Sequence, residues 1–262
     1  MDIDDIFEID DDLMEAVEPG LTEACASIKN SEYPKTTEAI LMLQMNIAFL
    51  KNGIFKTAED DNYYSMHVLL RSLCELFVKQ YYMFLKFTEN RDDSVGENYY
   101  KWTDIKEYLD YFKGLEKQRD LENKEKVEID INQIISDVYA GYAEIPKNEK
   151  KENTTNYTFF KMLKYVNSKL KPPSAILTNM PTDYSIMSSF VHGGPHANRL
   201  QFFNAKDINN RENEIYQICK KAYLFSTLSL FNTFTFVTLS NNQNNLANYI
   251  KLSLEYSGKI LD

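Results

Sequence analysis

A chain of 262 residues can bury a large core, and 8 glycines with 7 prolines are too few to punctuate a many-stranded β fold, so long helices are expected. The formal net charge of −10 argues against a nucleic-acid partner, yet nine acids fall within the first 18 residues and the remainder carries only −1. Three widely spaced cysteines, Cys25, Cys74 and Cys219, exclude a disulfide framework, a zinc site or a paired redox motif and imply reduced thiols in the cytoplasm.

In chain order, residues 1–20 read as an acidic tail (Asp2, Asp4, Asp5, Glu8, Asp10, Asp11, Asp12, Glu15, Glu18), closed by Pro19-Gly20. Such a tail is either solvated or a nucleic-acid mimic that covers a basic patch, and it is no secretory leader. Residues 21–262 read as a single helical domain. A short helix is predicted over 21–29, and Tyr33-Pro34 breaks the chain before Thr36 or Thr37 caps a helix running to about residue 60. Ile40, Leu43, Ile47 and Leu50 give that helix one apolar face. The strongest helical segment is 62–90, free of Gly and Pro, with Met66, Leu69, Leu70, Leu73, Leu76, Phe77, Phe84 and Phe87 at helical spacing.

From about 91 to 155 the chain is more charged and reads as an insertion, with helices near 99–117 and 129–139, a mixed-charge connector over 117–126, and an exposed loop over 144–155. A helix over 157–170 ends at Pro172-Pro173. A short helix from about 183, capped by Thr182 or Asp183, is stopped by Gly193-Gly194-Pro195. Two further helices, 210–239 and 245–256, flank an Asn-rich turn. The stretch 222–239 lacks charges and is long enough to span a membrane, but seven Ser, Thr and Asn residues interrupt it, and a buried central helix with no membrane partner is expected.

No phosphate loop, dinucleotide turn, nucleophile elbow or metal-binding His/Cys pair is present, so no metal or cofactor is expected. On the long helix His67, Arg71 and Glu75 recur every four residues and line one side, where Arg71 and Glu75 also suit an ordinary ion pair. In Asp183-Tyr184-Ser185-Ile186-Met187-Ser188-Ser189-Phe190-Val191-His192-Gly193-Gly194-Pro195-His196, helical spacing places Ser185, Ser188, Ser189 and His192 on one face. His192 then stands at a helix C-terminus, where the dipole favours its protonated form. It could bind phosphate there, or simply satisfy the last carbonyls. A third cluster interleaves Lys161, Lys164, Lys169 and Lys171 with Tyr157, Phe159, Phe160 and Tyr165, suited to stacking and phosphate contact or to rings in a core with solvated lysines.

The segments Arg71-Ser72-Leu73-Cys74-Glu75 and Tyr184 to Gly193 resemble a family of uncharacterised bacterial helical proteins with an Arg-x-x-x-Glu helix and a later Tyr-x-x-x-Ser-x-x-x-His segment. That family looks distantly like the HEPN superfamily of toxin–antitoxin, CRISPR and phage-defence systems, and the likeness covers residues 36–90 and 180–240. The resemblance implies an all-α, HEPN-like helical bundle and a metal-independent ribonuclease, commonly a homodimer. HEPN nucleases carry an Arg separated from their His by four to six intervening residues. Ser185, Ile186 and Met187 occupy the corresponding positions here, so the implied catalytic set is a composite of Arg71, Glu75 and His192. His67, Tyr184, Ser185, Ser189 and His196 are expected to bind RNA or nucleotide around it. The alternative is a non-catalytic helical module for a nucleotide or for a partner protein from the same operon, with those residues forming a buried polar network that fixes the packing.

Overall fold

The computed structural model describes residues 2–122, 130–171, 174–241 and 244–260, and among these residues it is all-helical, without a strand. The helices are α1 (Ile3–Ala26), α2 (Pro34–Glu59), α3 (Tyr63–Asn90), α4 (Ser94–Leu121), α5 (Ile131–Val138), α6 (Lys147–Asn156), α7 (Phe159–Lys169), α8 (Ala175–Val191), α9 (Pro195–Lys206), α10 (Ile208–Asn241) and α11 (Ala247–Gly258). The expected connector over 117–126, the break at Pro172-Pro173 and the Asn-rich turn each fall in part or wholly outside the described residues.

The centre of the bundle is α2, α3 and α10. A tight turn whose Asp61 takes a left-handed φ of 54° folds α3 back along α2, and the Asn62 side chain caps α3 by accepting from the Ser65 amide. Ile40, Ile47, Ile54, Leu73, Phe77, Val78, Phe87, Phe234 and Phe236 are buried between these helices. Among them Gln80 is fully buried. It donates to the Thr233 hydroxyl at 3.0 Å and accepts from Ser229 at 2.7 Å, while Ser229 also meets Gln44. This satisfied network ties one point of each core helix together and fixes their register. α10 has the length and composition to cross a membrane, but 72% of its most apolar window is buried inside the bundle, where α2, α3 and α11 cover it.

The acidic start of the chain corrects the expectation of a solvated tail. Asp2 and Asp5 form a reciprocal capping box, and α1 then runs without interruption through Pro19 and Gly20. Ile6, Leu13, Val17 and Ala24 recur at seven-, four- and seven-residue spacing and are buried, while most of the acids face water. Gly20 lies against the Tyr249 ring of α11 so closely that a Cβ there would meet ring carbons at 2.5–2.8 Å, so the residue read as a breaker is a packing point. Asp10 is also buried, and Lys51 of α2 donates to it.

Further boundaries differ from the sequence reading, α2 among them, which begins at Pro34 with Tyr33 rather than Thr36 or Thr37 at its cap. Residues 147–156, expected as a loop, form the exposed helix α6. The short helix expected from 183 is the second half of α8, which begins at Ala175 and continues through Pro181, so neither Thr182 nor Asp183 is a cap. Gly193, with φ 59°, and Gly194 do end α8, but Pro195 then occupies the first turn of a new helix, α9, where its missing N–H is no loss. The charged stretch forms α4, α5 and α6 around a small separate core of Trp102, Ile105, Ile135 and Tyr142.

Candidate functional site

Helix α8 lies along α3 in the opposite direction, and two different faces of it carry polar groups. Phe190 separates them. Its ring is fully buried and stacks on His67 at 4.1 Å, meets Tyr63 and Tyr64 edge-on, and its carbonyl accepts from the Tyr64 hydroxyl.

On the first face Arg71 and Glu75 of α3 meet Tyr184 and Ser188 of α8. The Arg71 Nε donates to Ser188 Oγ at 3.1 Å, and Nη2 donates to the Tyr184 hydroxyl at 2.6 Å and lies 3.0 Å from Glu75. The Tyr184 hydroxyl in turn donates to the Glu75 carboxylate. That carboxylate and partial burial push the Tyr184 phenol up to about 12, so it remains a donor at neutral pH, with burial the larger cause. Tyr184 stacks on Phe159 at 4.1 Å and meets the exposed Phe160 edge-on at 5.6 Å. The guanidinium is therefore fixed on an open aromatic rim, with 23% of the Arg71 side chain exposed.

Tyr184, Ser188 and His192 follow one another at four-residue intervals, so His192 stands one turn, about 6 Å along the axis, beyond Ser188 on the same side of α8. Its side chain is exposed and has no hydrogen bond, ion pair or ring partner among the described residues, while its backbone N–H donates to the Ser188 carbonyl at 3.2 Å. The expected meeting of Arg71 and Glu75 with His192 is thus made by Tyr184 and Ser188 instead. Of the other expected binding residues, Ser189 is occupied locally, donating to the Ile186 carbonyl at 2.7 Å, and Ser185 takes no part in the network. Phe159 is buried in the main core, as expected for rings in a core with solvated lysines, whereas Phe160 is exposed and Lys164 lies one turn after it on the exposed side of α7.

The second face borders a cleft of about 400 Å³ between α3, α8, α9 and α10. His67 of α3 is only 6% exposed, and neither ring nitrogen has a hydrogen-bond partner among the described residues. Its Nε2 is 3.9 Å from the Glu214 carboxylate, too long for a hydrogen bond. Asp183 and Lys221 form an ion pair at 2.6 Å, and His196 reaches the cleft from α9. Asp183, Glu214 and Lys221 escape a sequence reading because they are single charged residues on helices distant in the chain. The orphaned His67 nitrogens become visible only when its neighbours are known.

A family of unknown function, DUF5677, matches residues 38–211, from α2 into the start of α10. The chain belongs to DUF5677. The DUF5677 span holds both polar faces of α8 apart from Glu214, Gln217 and Lys221, and it leaves out α1, most of α10 and α11. No curated protein and no solved structure matches the chain.

Burial holds the His67 imidazole down at about 4, with Lys221 adding to the depression and Asp183 opposing it. The unfolded chain binds a proton as pH falls through its ordinary value near 6.5, whereas the folded chain stays neutral until about 4. The stability contributed by a neutral His67 is therefore present above pH 6.5 and is lost as the pH drops towards 4, by about 3 kcal/mol in all. Urea unfolding of wild type and His67→Gln at pH 7.5, 5.5 and 4.5 isolates this component, with the wild type expected by pH 4.5 to have lost most of that amount relative to the variant.

Proposed function

We propose that the chain is a non-catalytic, HEPN-like helical module of a bacterial defence or toxin system, acting in the cytoplasm as a homodimer and binding single-stranded RNA or nucleotide on the α3–α8 face. The observation that carries this reading is the Arg71 guanidinium, held by Ser188 and Tyr184 beside the exposed ring of Phe160. A guanidinium immobilised before the ligand arrives loses little further side-chain entropy on meeting a phosphate, and an exposed ring next to it offers a base a stacking surface. Glu75 offsets the Arg71 charge, so further attraction for phosphate comes from Lys164, exposed one turn after Phe160 on α7.

A second reading, cleavage, is favoured by the exposed His192 one turn along α8 from the Ser188 that holds Arg71. In that case the His192 imidazole takes the proton of a 2′-hydroxyl as its oxygen attacks phosphorus. The P–O5′ bond breaks, solvent protonates the departing oxygen, and a 2′,3′-cyclic phosphate and a 5′-hydroxyl result. Arg71 would stabilise the extra phosphorane charge.

One experiment separates the two: incubation of end-labelled single-stranded RNA with wild type, Arg71→Gln and His192→Ala, read by gel shift and by product length. The binding module predicts a shift without cleavage, weakened about tenfold or more by Arg71→Gln. Cleavage by the wild type that disappears in His192→Ala, with both proteins melting within about 2 °C of each other as an exposed residue allows, would establish the nuclease instead. Absence of any RNA or nucleotide binding by the folded wild type defeats both. Sedimentation of the same samples reads the oligomer, and co-purification with the product of a neighbouring gene reads the partner.

A further inference from the structure

We propose that the cleft between α3, α8, α9 and α10 is a second site, separate from the Arg71 face, that binds a small organic cation: an alkylammonium or alkylguanidinium compound. Four observations lead there. His67 is buried at the cleft wall with two ring nitrogens unpartnered, an arrangement that costs stability unless something fills their hydrogen-bonding capacity. Its ring cannot turn away, because Phe190 stacks on one side and Tyr63 meets it edge-on.

The charges at the cleft are two carboxylates, Asp183 and Glu214, and one ammonium, Lys221. Lys221 is already engaged by Asp183 at 2.6 Å, whereas the Glu214 carboxylate has no hydrogen bond among the described residues and stands 3.9 Å from His67. The uncommitted charge is therefore negative. An imidazole held near pKa 4 is protonated in only about one molecule in a thousand at pH 7, so it accepts an N–H from a cation without being a cation itself. An anionic ligand would meet Glu214 unshielded and find Lys221 taken.

The cleft's size and walls set the rest of the ligand. About 400 Å³ is far larger than an inorganic ion needs and falls in the range of small-molecule sites. Among the described residues no group of three His, Cys, Asp or Glu side chains is placed to hold a metal. Leu70, Ile186, Met187, Leu200 and Ile218 line the cavity around the polar groups and would sheath an alkyl chain, while Glu214 and His67 take the N–H donors at its head.

The test uses the full-length chain labelled at methionine methyl carbons, titrated in turn with butylguanidinium, butylammonium and butyrate. Met187 is 2% exposed and borders the cleft, so its methyl resonance reports entry. Saturable movement of that resonance with either cation, little with butyrate, and at least about tenfold weaker binding by Glu214→Gln are expected. Glu214 is 40% exposed on α10, so that substitution leaves the fold intact. Arg71→Gln should bind the cations as wild type does, which keeps this site distinct from the nucleotide face. Butyrate binding as tightly as the cations, unchanged affinity in Glu214→Gln, or no movement of the Met187 methyl with millimolar cation would each overturn the proposal.

Discussion

Replacing Asp10 with Ala is expected to lower the stability of the fold by about 3–5 kcal/mol, because it leaves the ammonium of Lys51 buried without its counter-charge. Lys51 is 1% exposed and Asp10 6% exposed. Burial pushes the Asp10 carboxyl above its ordinary value, and Lys51 offsets this only in part, so desolvation is the dominant influence on the pair. The Phe55 ring, 5.4 Å from the Lys51 ammonium, softens the loss only slightly, since a ring face contributes far less than a carboxylate. Converting both members to apolar residues, Asp10→Leu with Lys51→Met, should recover most of the loss, since an intact buried pair barely repays its own desolvation. Urea unfolding of the two single variants and the double variant measures this coupling. A loss under about 1 kcal/mol for Asp10→Ala would mean that α1 is only loosely attached, as the sequence reading of an acidic tail supposed.

The docking of α1 is hidden in the sequence for a definite physical reason. Nine acids in 18 residues dominate any composition window, and they conceal Ile6, Leu13, Val17 and Ala24, whose spacing needs only one narrow stripe to dock. Pro19 and Gly20 add to the concealment, yet a proline costs a helix one hydrogen bond and a glycine some entropy, and the contact of Gly20 with Tyr249 compensates through tertiary packing that no local rule contains. The same competition explains α8, which continues through Pro181, and α9, where Pro195 begins a helix rather than marking the end of one. By contrast α3 was legible at both ends: its apolar rhythm is continuous, Asn62 caps it, and no Gly or Pro lies inside.

The candidate site was legible as pairs and illegible as a set. The four-residue spacing of Arg71 and Glu75 and of Tyr184, Ser188 and His192 predicts which side of each helix they share, and the structure does bring Arg71, Glu75, Tyr184 and Ser188 into contact. Periodicity cannot say how far one helix slides along another. That offset decides that Tyr184 and Ser188 meet Arg71 while His192 projects one turn past them. His67 was grouped with Arg71 and Glu75 on the same stripe, but four residues advance a helix by about 400°, so each step turns the side chain some 40° further round. Two steps separate His67 from Glu75 enough to place one in the cleft under Phe190 and the other on the open rim.

Phe190 is where the two faces meet, and Phe190→Ala is expected to cost about 3–5 kcal/mol, the usual loss for deleting a fully buried ring that its surroundings cannot fill. Its packing partners are three rings on a single turn of α3, those of Tyr63, Tyr64 and His67, whose positions the rest of the bundle fixes, so little collapse can relieve the cavity. The void would differ from an ordinary apolar one. The His67 nitrogens are unpartnered, so water entering the space gains hydrogen bonds and stays. Hydrating the imidazole removes the desolvation that holds it near 4 and lets it titrate closer to its ordinary value of 6.5. The stability of Phe190→Ala should accordingly fall less between pH 6.5 and 4 than that of the wild type, even though the variant is weaker at every pH. Phe190→Leu refills most of the volume, and its His67 should remain depressed. Urea unfolding together with an NMR titration of the His67 ring in all three proteins decides the matter: a His67 that still titrates near 4 in Phe190→Ala would show that its other neighbours, not Phe190, keep water from it.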